Sequence, residues 1–481
     1  MGRDVLLLYM SPKNPNYKTQ TNEGAVRYLI KEKETPDCIL ALCSETVRKK
    51  AVVEMPDGST CTTLEYFRDA LRRVGIPAER LVVIEVPDSM DDEKKQFQAI
   101  SQLLDKIEKE DTLSIDLSGG MRDTAMLLVT AARCMRDLRG VQTRRVIYAE
   151  LRGEEPVAHD RTQLYDLFDF VTAMDAFFST GTAQKLKSYL WSEGEKDPVL
   201  HTLLTRINQF SEDLALCRVQ KLNDDLNQIA QALKETPKKS QNLTDLFFRL
   251  LKDRFSTEFA ELLSSGEKAL PALVSWCAKY GMYQQALTLL CEQMPEYVCQ
   301  HLFVQPTERG WDYLADQKQN EGKPWAYPLF HFHFCWLALL QNGKLKEICT
   351  TDLRLTKSKD DAGGNMLLGV ANAAEMHDYL DMVLASDQLA IDPAIRPQLE
   401  HAALLYQRVV KYRNQINHAS ASDLGLQSER VLPLDTEHIE QTLQEIADYL
   451  HEIRPLKRNV PQGVKALPVT KTIPAGAVPN L

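Results

Sequence analysis

No two cysteines stand in a CxxC spacing, although the chain holds ten of them, scattered from Cys38 to Cys349 along 481 residues. That scatter points away from a zinc ribbon, a redox dithiol or a disulfide-framed secreted domain. It is expected of reduced, mostly buried thiols in a cytoplasm. No apolar run approaches the roughly 20 residues that a membrane span needs. The opening Met1-Gly-Arg-Asp4 followed by Val5-Leu-Leu-Leu8 reads as a charged turn into a strand rather than a signal peptide. An excess of positive charge is missing too. With a formal net charge of −10, the chain is not expected to coat nucleic acid through a general field. Any such contact must be local and brief. Glycine is absent from the loop after the first apolar run, where the GxGxxG fingerprint of a dinucleotide enzyme would fall. A nucleotide-dependent metabolic enzyme is therefore a distant alternative.

What is present is ordinary in composition, 44% hydrophobic and 26% charged, and long enough for two to four domains. Residues 1–155 alternate between strand and helix. Strands are expected at Asp4–Met10, Cys38–Cys43, Leu81–Val86, Thr112–Leu117 and Arg144–Ala149. Helices are expected at Thr21–Ile30, Thr63–Val74 and Asp91–Lys109, and from Asp123 to about Leu138. Such alternation predicts a parallel, doubly wound α/β sheet of Rossmann type. These sheets bind ligands beyond the carboxyl ends of their strands. Three loops fall there: Ser11–Asn16, Ser44-Glu45 and Ser118–Asp123. In the last, Gly119 and Gly120 would let backbone approach a ligand, and the N–H groups opening the next helix favour an anion. Ser118 offers a hydroxyl and Arg122 a charge. A tight strand-to-helix turn would use glycine anyway, and both readings stand.

Beyond residue 155 the pattern is helical. Residues 156–250 read as a helical linker and dimerisation segment, 251–455 as an all-α domain, and 456–481 as a proline-rich tail that is either flexible or extended along the surface. Leu164–Phe178 is a strongly apolar helix that packs on the first domain or forms a dimer face. Leu203–Leu233 is one long amphipathic pattern, followed by an exposed loop at Thr236–Lys239. Ser265–Tyr297 is a helical hairpin around Gly281, without a second copy at that period. His331-Phe-His-Phe334 reads as a packed aromatic segment rather than a metal site, because no carboxylate or cysteine stands at ligand spacing. Asp360–Gly364 is a surface loop.

The stretch Tyr412-Arg-Asn-Gln-Ile-Asn-His418 sits at the end of a helical pattern from Ile395. Asparagine is a poor choice for a helix interior, because its amide competes for backbone hydrogen bonds. On a helix Arg413 lies one turn from Asn417, and Asn414 one turn from His418. Arg413 and His418 diverge, so a site using both needs a distorted helix end or a second copy of the helix. An exposed polar helix end is the plain alternative.

Three features in order carry a family resemblance: Asp116-Leu-Ser-Gly-Gly120 between strand and helix, Leu167-Phe-Asp-Phe170 with Phe177-Phe178 and Gly181, and Arg413-Asn-Gln-Ile-Asn-His418. The chain resembles the CARF–HEPN accessory ribonucleases of type III CRISPR systems, the Csm/Csx group. The resemblance implies a homodimer whose N-terminal CARF domains bind a cyclic tetra- or hexa-adenylate across the twofold axis. It implies Ser118, Gly119, Gly120 and Arg122 in that pocket, joined by Ser11, Asn14 and Ser44. It also implies a HEPN domain that cuts single-stranded RNA nonspecifically in antiviral defence, without metal or other cofactor and without stable association with the CRISPR complex. Some relatives also cut their activator in the sensor pocket. The residues fit that chemistry. Arg413 supplies a forked cation for a phosphate. His418 exchanges a proton near neutral pH. Asn414 and Asn417 orient them, leaving 2′,3′-cyclic phosphate and 5′-OH ends. Arg408 and Lys411 would hold the RNA backbone or form a solvated face. The competing reading is a ligand-responsive regulatory or RNA-binding protein without nuclease activity.

Overall fold

The computed structural model describes residues 2–50, 52–54, 59–89, 92–120, 122–152, 155–192, 197–235, 243–264, 269–316, 321–334, 339–341, 344–345, 366–367, 373–417, 434–453 and 467–474. The chain divides into two compact units, Met1–Val171 and Thr172–Leu481.

The first unit contains β1 (Asp4–Tyr9), α1 (Glu23–Lys31), β2 (Cys38–Cys43), β3 (Val52–Glu54), β4 (Thr60–Thr62), α2 (Thr63–Arg73), β5 (Leu81–Glu85), α3 (Glu93–Leu104), β6 (Thr112–Asp116), α4 (Arg122–Arg139), β7 (Gln142–Arg152), β8 (Glu155–Asp160) and the start of α5 (Thr162–Thr180). Six strands form one sheet in the order β5-β2-β1-β6-β7-β8. Five of them are parallel, as the alternation predicts, while β8 returns antiparallel along β7. The sheet is therefore mixed rather than wholly parallel. β8 escapes a sequence reading because Glu-Pro-Val-Ala-His-Asp lacks an apolar run, and Pro156 is tolerated there because the strand lies on the edge. The short β3–β4 hairpin is a second unexpected piece.

Period-two alternation sets the layers. Val5, Leu7 and Tyr9 of β1 face Leu103, Leu128 and Met135 from α3 and α4. Leu6 and Leu8 face the other way, into Val26, Leu29, Phe67 and Leu71 from α1 and α2. Both faces are covered, which is why β2 (Cys-Ile-Leu-Ala-Leu-Cys) is buried throughout. Strand order reverses between β1 and β6, so the switch-point crevice opens where those two strands end.

The first unit reaches Val171, beyond the expected end at residue 155. Tyr165 of α5 joins its core, and Asp169 pairs with Arg133 and Arg136 of α4. In the second unit the described helices are α6 (Gln184–Ser192), α7 (Pro198–Ala215), α8 (Val219–Ala232), α9 (Leu243–Glu258), α10 (Ala260–Ser264), α11 (Leu270–Lys279), α12 (Tyr283–Leu302), α13 (Glu308–Asp316), α14 (Ala326–Phe334), α15 (Ala373–Ala385), α16 (Arg396–Asn417) and α17 (Thr436–Ile453). The expected division at residue 250 has no counterpart, since α9 runs through it within one unit. The single pattern Leu203–Leu233 is two helices, broken where Cys217 takes a positive φ of 51°. The expected hairpin is α11 and α12, turning at Gly281 with φ 70°. Phe177, Phe178, Phe210, Phe255, Phe259 and Trp276 interlock as an aromatic core. The tail segment 467–474 lies beside α14. Trp325 Nε1 donates to the Pro468 carbonyl at 3.0 Å, and Thr472 bridges to Pro324. The Thr236–Lys239 and Asp360–Gly364 loops lie outside the described residues. Among the described residues no helix is long and apolar enough to cross a membrane.

Candidate functional site

At the switch point, the ends of β1 and β6 are tied by a buried polar network. Asn22 Nδ2 donates to the Tyr9 carbonyl at 3.1 Å and to Asp116 Oδ2 at 2.6 Å. Its Oδ1 accepts from the Ser11 N–H at 3.1 Å and from Gln20 Nε2 at 2.6 Å. Asp116 Oδ1 accepts from the Ser118 N–H at 2.9 Å and from the Ser118 hydroxyl. Ser118 Oγ in turn accepts from the Ala149 N–H at 2.6 Å, and Ser11 Oγ accepts from the Gly120 N–H at 3.0 Å. Asp116, Asn22 and Gln20 are fully buried. Burial pushes the Asp116 carboxyl up to about 6, against the hydrogen bonds from Ser118 and Asn22 that hold it down.

This geometry separates the candidate ligand residues. A Cβ at Gly119 would overlap the Tyr9 carbonyl oxygen, and Gly120 has a φ of 81°. The fold itself therefore requires both glycines. The Ser118 hydroxyl is committed to Asp116 and Ala149, and the Ser11 hydroxyl to Gly120. Asn14 is exposed, and its Oδ1 closes a turn onto the Asn16 N–H at 3.0 Å. Arg122 opens α4, and its side chain lies outside the described part. Nothing in the sequence singles out Asn22 and Gln20. An asparagine before a helix reads as a cap, yet here its amide makes no cap bond and links two strands instead.

Ser44 is buried just past the end of β2, and the next residue, Glu45, lines a neighbouring concavity. A cleft of about 410 Å³ is lined by Glu45, Arg48, Glu85, Asp88, Lys95 and Gln98, among others. Asp88 accepts from the Thr46 N–H at 2.7 Å and from Lys50 Nζ at 3.1 Å, which holds its carboxyl well below the usual range. Arg48 pairs with Glu85 at 2.7 Å. The open volume thus lies beyond β2 and β5, while the glycine loop lies beyond β1 and β6. Of the expected ligand loops, only the one at Ser44-Glu45 contributes to the cleft lining, through Glu45.

In the second unit, α16 ends on the predicted motif. Leu399, Ala402, Leu405, Tyr406, Val409 and Tyr412 anchor its inner face. Arg413 is half-buried and makes no ion pair among the described residues. Its Nη1 donates to Asn414 Oδ1 at 3.3 Å, and its buried Nε has no partner. Asn417 Oδ1 accepts instead from Gln284 Nε2 of α12 at 3.4 Å. The expected Arg413–Asn417 pairing along the helix is therefore replaced by contacts with Asn414 and Gln284. His418 lies outside the described residues. Arg408 is engaged with Glu445 at 2.8 Å.

Other groups converge on Arg413. Burial raises the Glu292 carboxyl of α12, opposed by the charges of Arg413 and Lys323. Burial lowers the pKa of His331 on α14, and the Arg413 charge lowers it further. The aromatic pattern predicts packing for His331 and His333 alike. They lie on a helix, where residues two apart point to different sides. His333 is buried, with Nδ1 at 2.7 Å from the Leu329 carbonyl and Nε2 at 3.0 Å from Gln388 Oε1. Burial lowers its pKa to about 4. Among the described residues no three His, Cys, Asp or Glu side chains are grouped to hold a metal. A scan against protein-family models matches none of them, and a search of curated proteins finds no match to this chain.

Proposed function

We propose that the chain is a cyclic-oligoadenylate-activated, metal-independent endoribonuclease of the CARF–HEPN kind, acting as a homodimer in type III CRISPR defence. The observation that carries the reading is Arg413: a half-buried guanidinium without an ion pair among the described residues, on a motif helix and within electrostatic reach of an imidazole. A half-buried cation held open in this way suits a phosphodiester. The ribose 2′-OH attacks its neighbouring phosphate, Arg413 stabilises the charge that develops, and His418 exchanges protons. Asn414 and Asn417, exposed at the helix end, orient the backbone.

Support for the sensor half comes from the gathering of Ser11, Asn14, Ser44 and Ser118–Gly120 beyond the ends of β1, β2 and β6. With Ser118 and Gly119 committed to the fold, ring contact is assigned chiefly to Arg122, Asn14 and the loop backbone. Pairing is supported by an exposed apolar stripe on α5, where Leu164, Phe168 and Val171 recur at helical spacing and are 67%, 55% and 47% exposed.

The test is cleavage of labelled single-stranded RNA titrated with synthetic cyclic tetra- and hexa-adenylate, with chelator present. Cleavage switched on by one ring size, with 2′,3′-cyclic phosphate ends, is expected. RNA retention without cleavage at either ring size favours the binding-protein reading.

A further inference from the structure

We propose that His331 is the proton-accepting imidazole that works beside Arg413 in the second unit, an inference that rests on the ribonuclease reading. Pro295 lies inside α12. Proline has no N–H, so the Cys291 carbonyl one turn earlier loses its helical donor. The buried Tyr406 hydroxyl donates to that carbonyl at 3.1 Å. A phenol has one proton, and here the carbonyl takes it. Tyr406 Oη also lies 2.7 Å from His331 Nδ1. With the hydroxyl proton committed, Nδ1 must carry the proton of that second bond and donate it. Neutral His331 is thereby fixed with its lone pair on Nε2.

The ring is fixed as well as the tautomer. Tyr327 stacks on it with centroids 5.1 Å apart and planes 15° from parallel, and Tyr406 meets it edge-on at 6.0 Å. No hydrogen bond to Nε2 is formed among the described residues, whereas both nitrogens of His333 on the same helix are engaged. His331 is only partly buried. Tyr406 and Tyr327 meet the ring, and Arg413 acts on it by its charge; Arg413 in turn acts on Glu292 of α12, as does Lys323 before α14. Burial and the Arg413 charge keep the imidazole neutral near pH 7, the form a base requires.

In the step assigned to it, Nε2 takes the proton of the ribose 2′-OH as the O2′–P bond forms and the P–O5′ bond breaks. The leaving 5′ oxygen takes its proton from the acid of the proposed mechanism, the role given to His418, and His331 returns its own to solvent. The reaction is an internal transesterification, so no further reactant is consumed. Tyr406 is a positioning residue.

The experiment is activator-saturated RNA cleavage by wild type, His331→Gln and Tyr406→Phe, each followed across pH 5 to 8. His331→Gln is expected to lose about 100-fold or more in kcat. The acidic limb of its pH–rate profile should vanish, with KM and melting temperature held. Tyr406→Phe should lose less and shift that limb. Activity of His331→Gln within about 3-fold of wild type, with the limb intact, overturns the proposal while leaving the ribonuclease reading standing. A wild type silent with every ring size overturns both. Should His331→Gln not fold, ¹⁵N-histidine spectra of the wild type decide: Nδ1–H in neutral His331 supports the assignment, and Nε2–H overturns it.

Discussion

At Gly119 a methyl group would collide with the Tyr9 carbonyl oxygen, which is backbone and has little room to yield. Gly119→Ala is therefore expected to destabilise the first unit by about 3 kcal/mol or more, read as a drop in melting temperature. Asp116 gives a sign-dependent prediction. Its folded pKa of about 6 exceeds the ordinary value of 3.8, so the folded state holds the proton more tightly. Its contribution is most favourable below the ordinary value and is lost as pH rises to about 6. The unfolding free energy of wild type minus that of Asp116→Asn should fall by roughly 2 kcal/mol between pH 4 and 7, measured by denaturant titration. A flat difference would mean that the three donors around this carboxylate outweigh its burial. The sequence showed the glycines but left two explanations for them. Only the contact with Tyr9, more than a hundred residues away in the chain, decides between ligand and turn.

At the scale of elements, apolar periodicity located most helices and the five parallel strands, because burial imposes it directly on the chain. It failed where burial is one-sided or interrupted. β8 is an edge strand with no apolar run, and the break at Cys217 depends on a backbone conformation that composition does not announce. The motif helix was legible down to its last turn, since Arg413 follows a buried stripe ending at Tyr412. His331 was not, because its role depends on α12 and α16 meeting α14. Arg413→Ala and His418→Ala should each reduce activator-stimulated RNA cleavage by at least about 100-fold. Activator binding, followed by calorimetry, should remain. Undiminished cleavage in either variant would remove that residue from the site.

For the molecule as a whole, the stripe on α5 makes pairing testable. Phe168→Glu, placing a charge in the middle of the exposed stripe, should shift the chain toward monomer in light scattering and lower cleavage in parallel. A variant that stays dimeric would direct attention to another face. The net charge of −10 adds that RNA should be held weakly and released quickly, so turnover ought to be limited by encounter at moderate salt.

The docked segment 467–474 has a consequence for engineering. It accepts the Trp325 indole N–H through Pro468, accepts the Gly322 N–H through Ile473, and seats the Ile473 side chain in the interior at 2% exposure. A chain cut before Leu467 would leave those donors without acceptors just ahead of the helix bearing His331. Such a shortened protein is expected to lose catalytic turnover before it loses its fold. Comparing kcat and melting temperature of the two lengths would show it, and a terminal deletion would then act as a mutation of the centre.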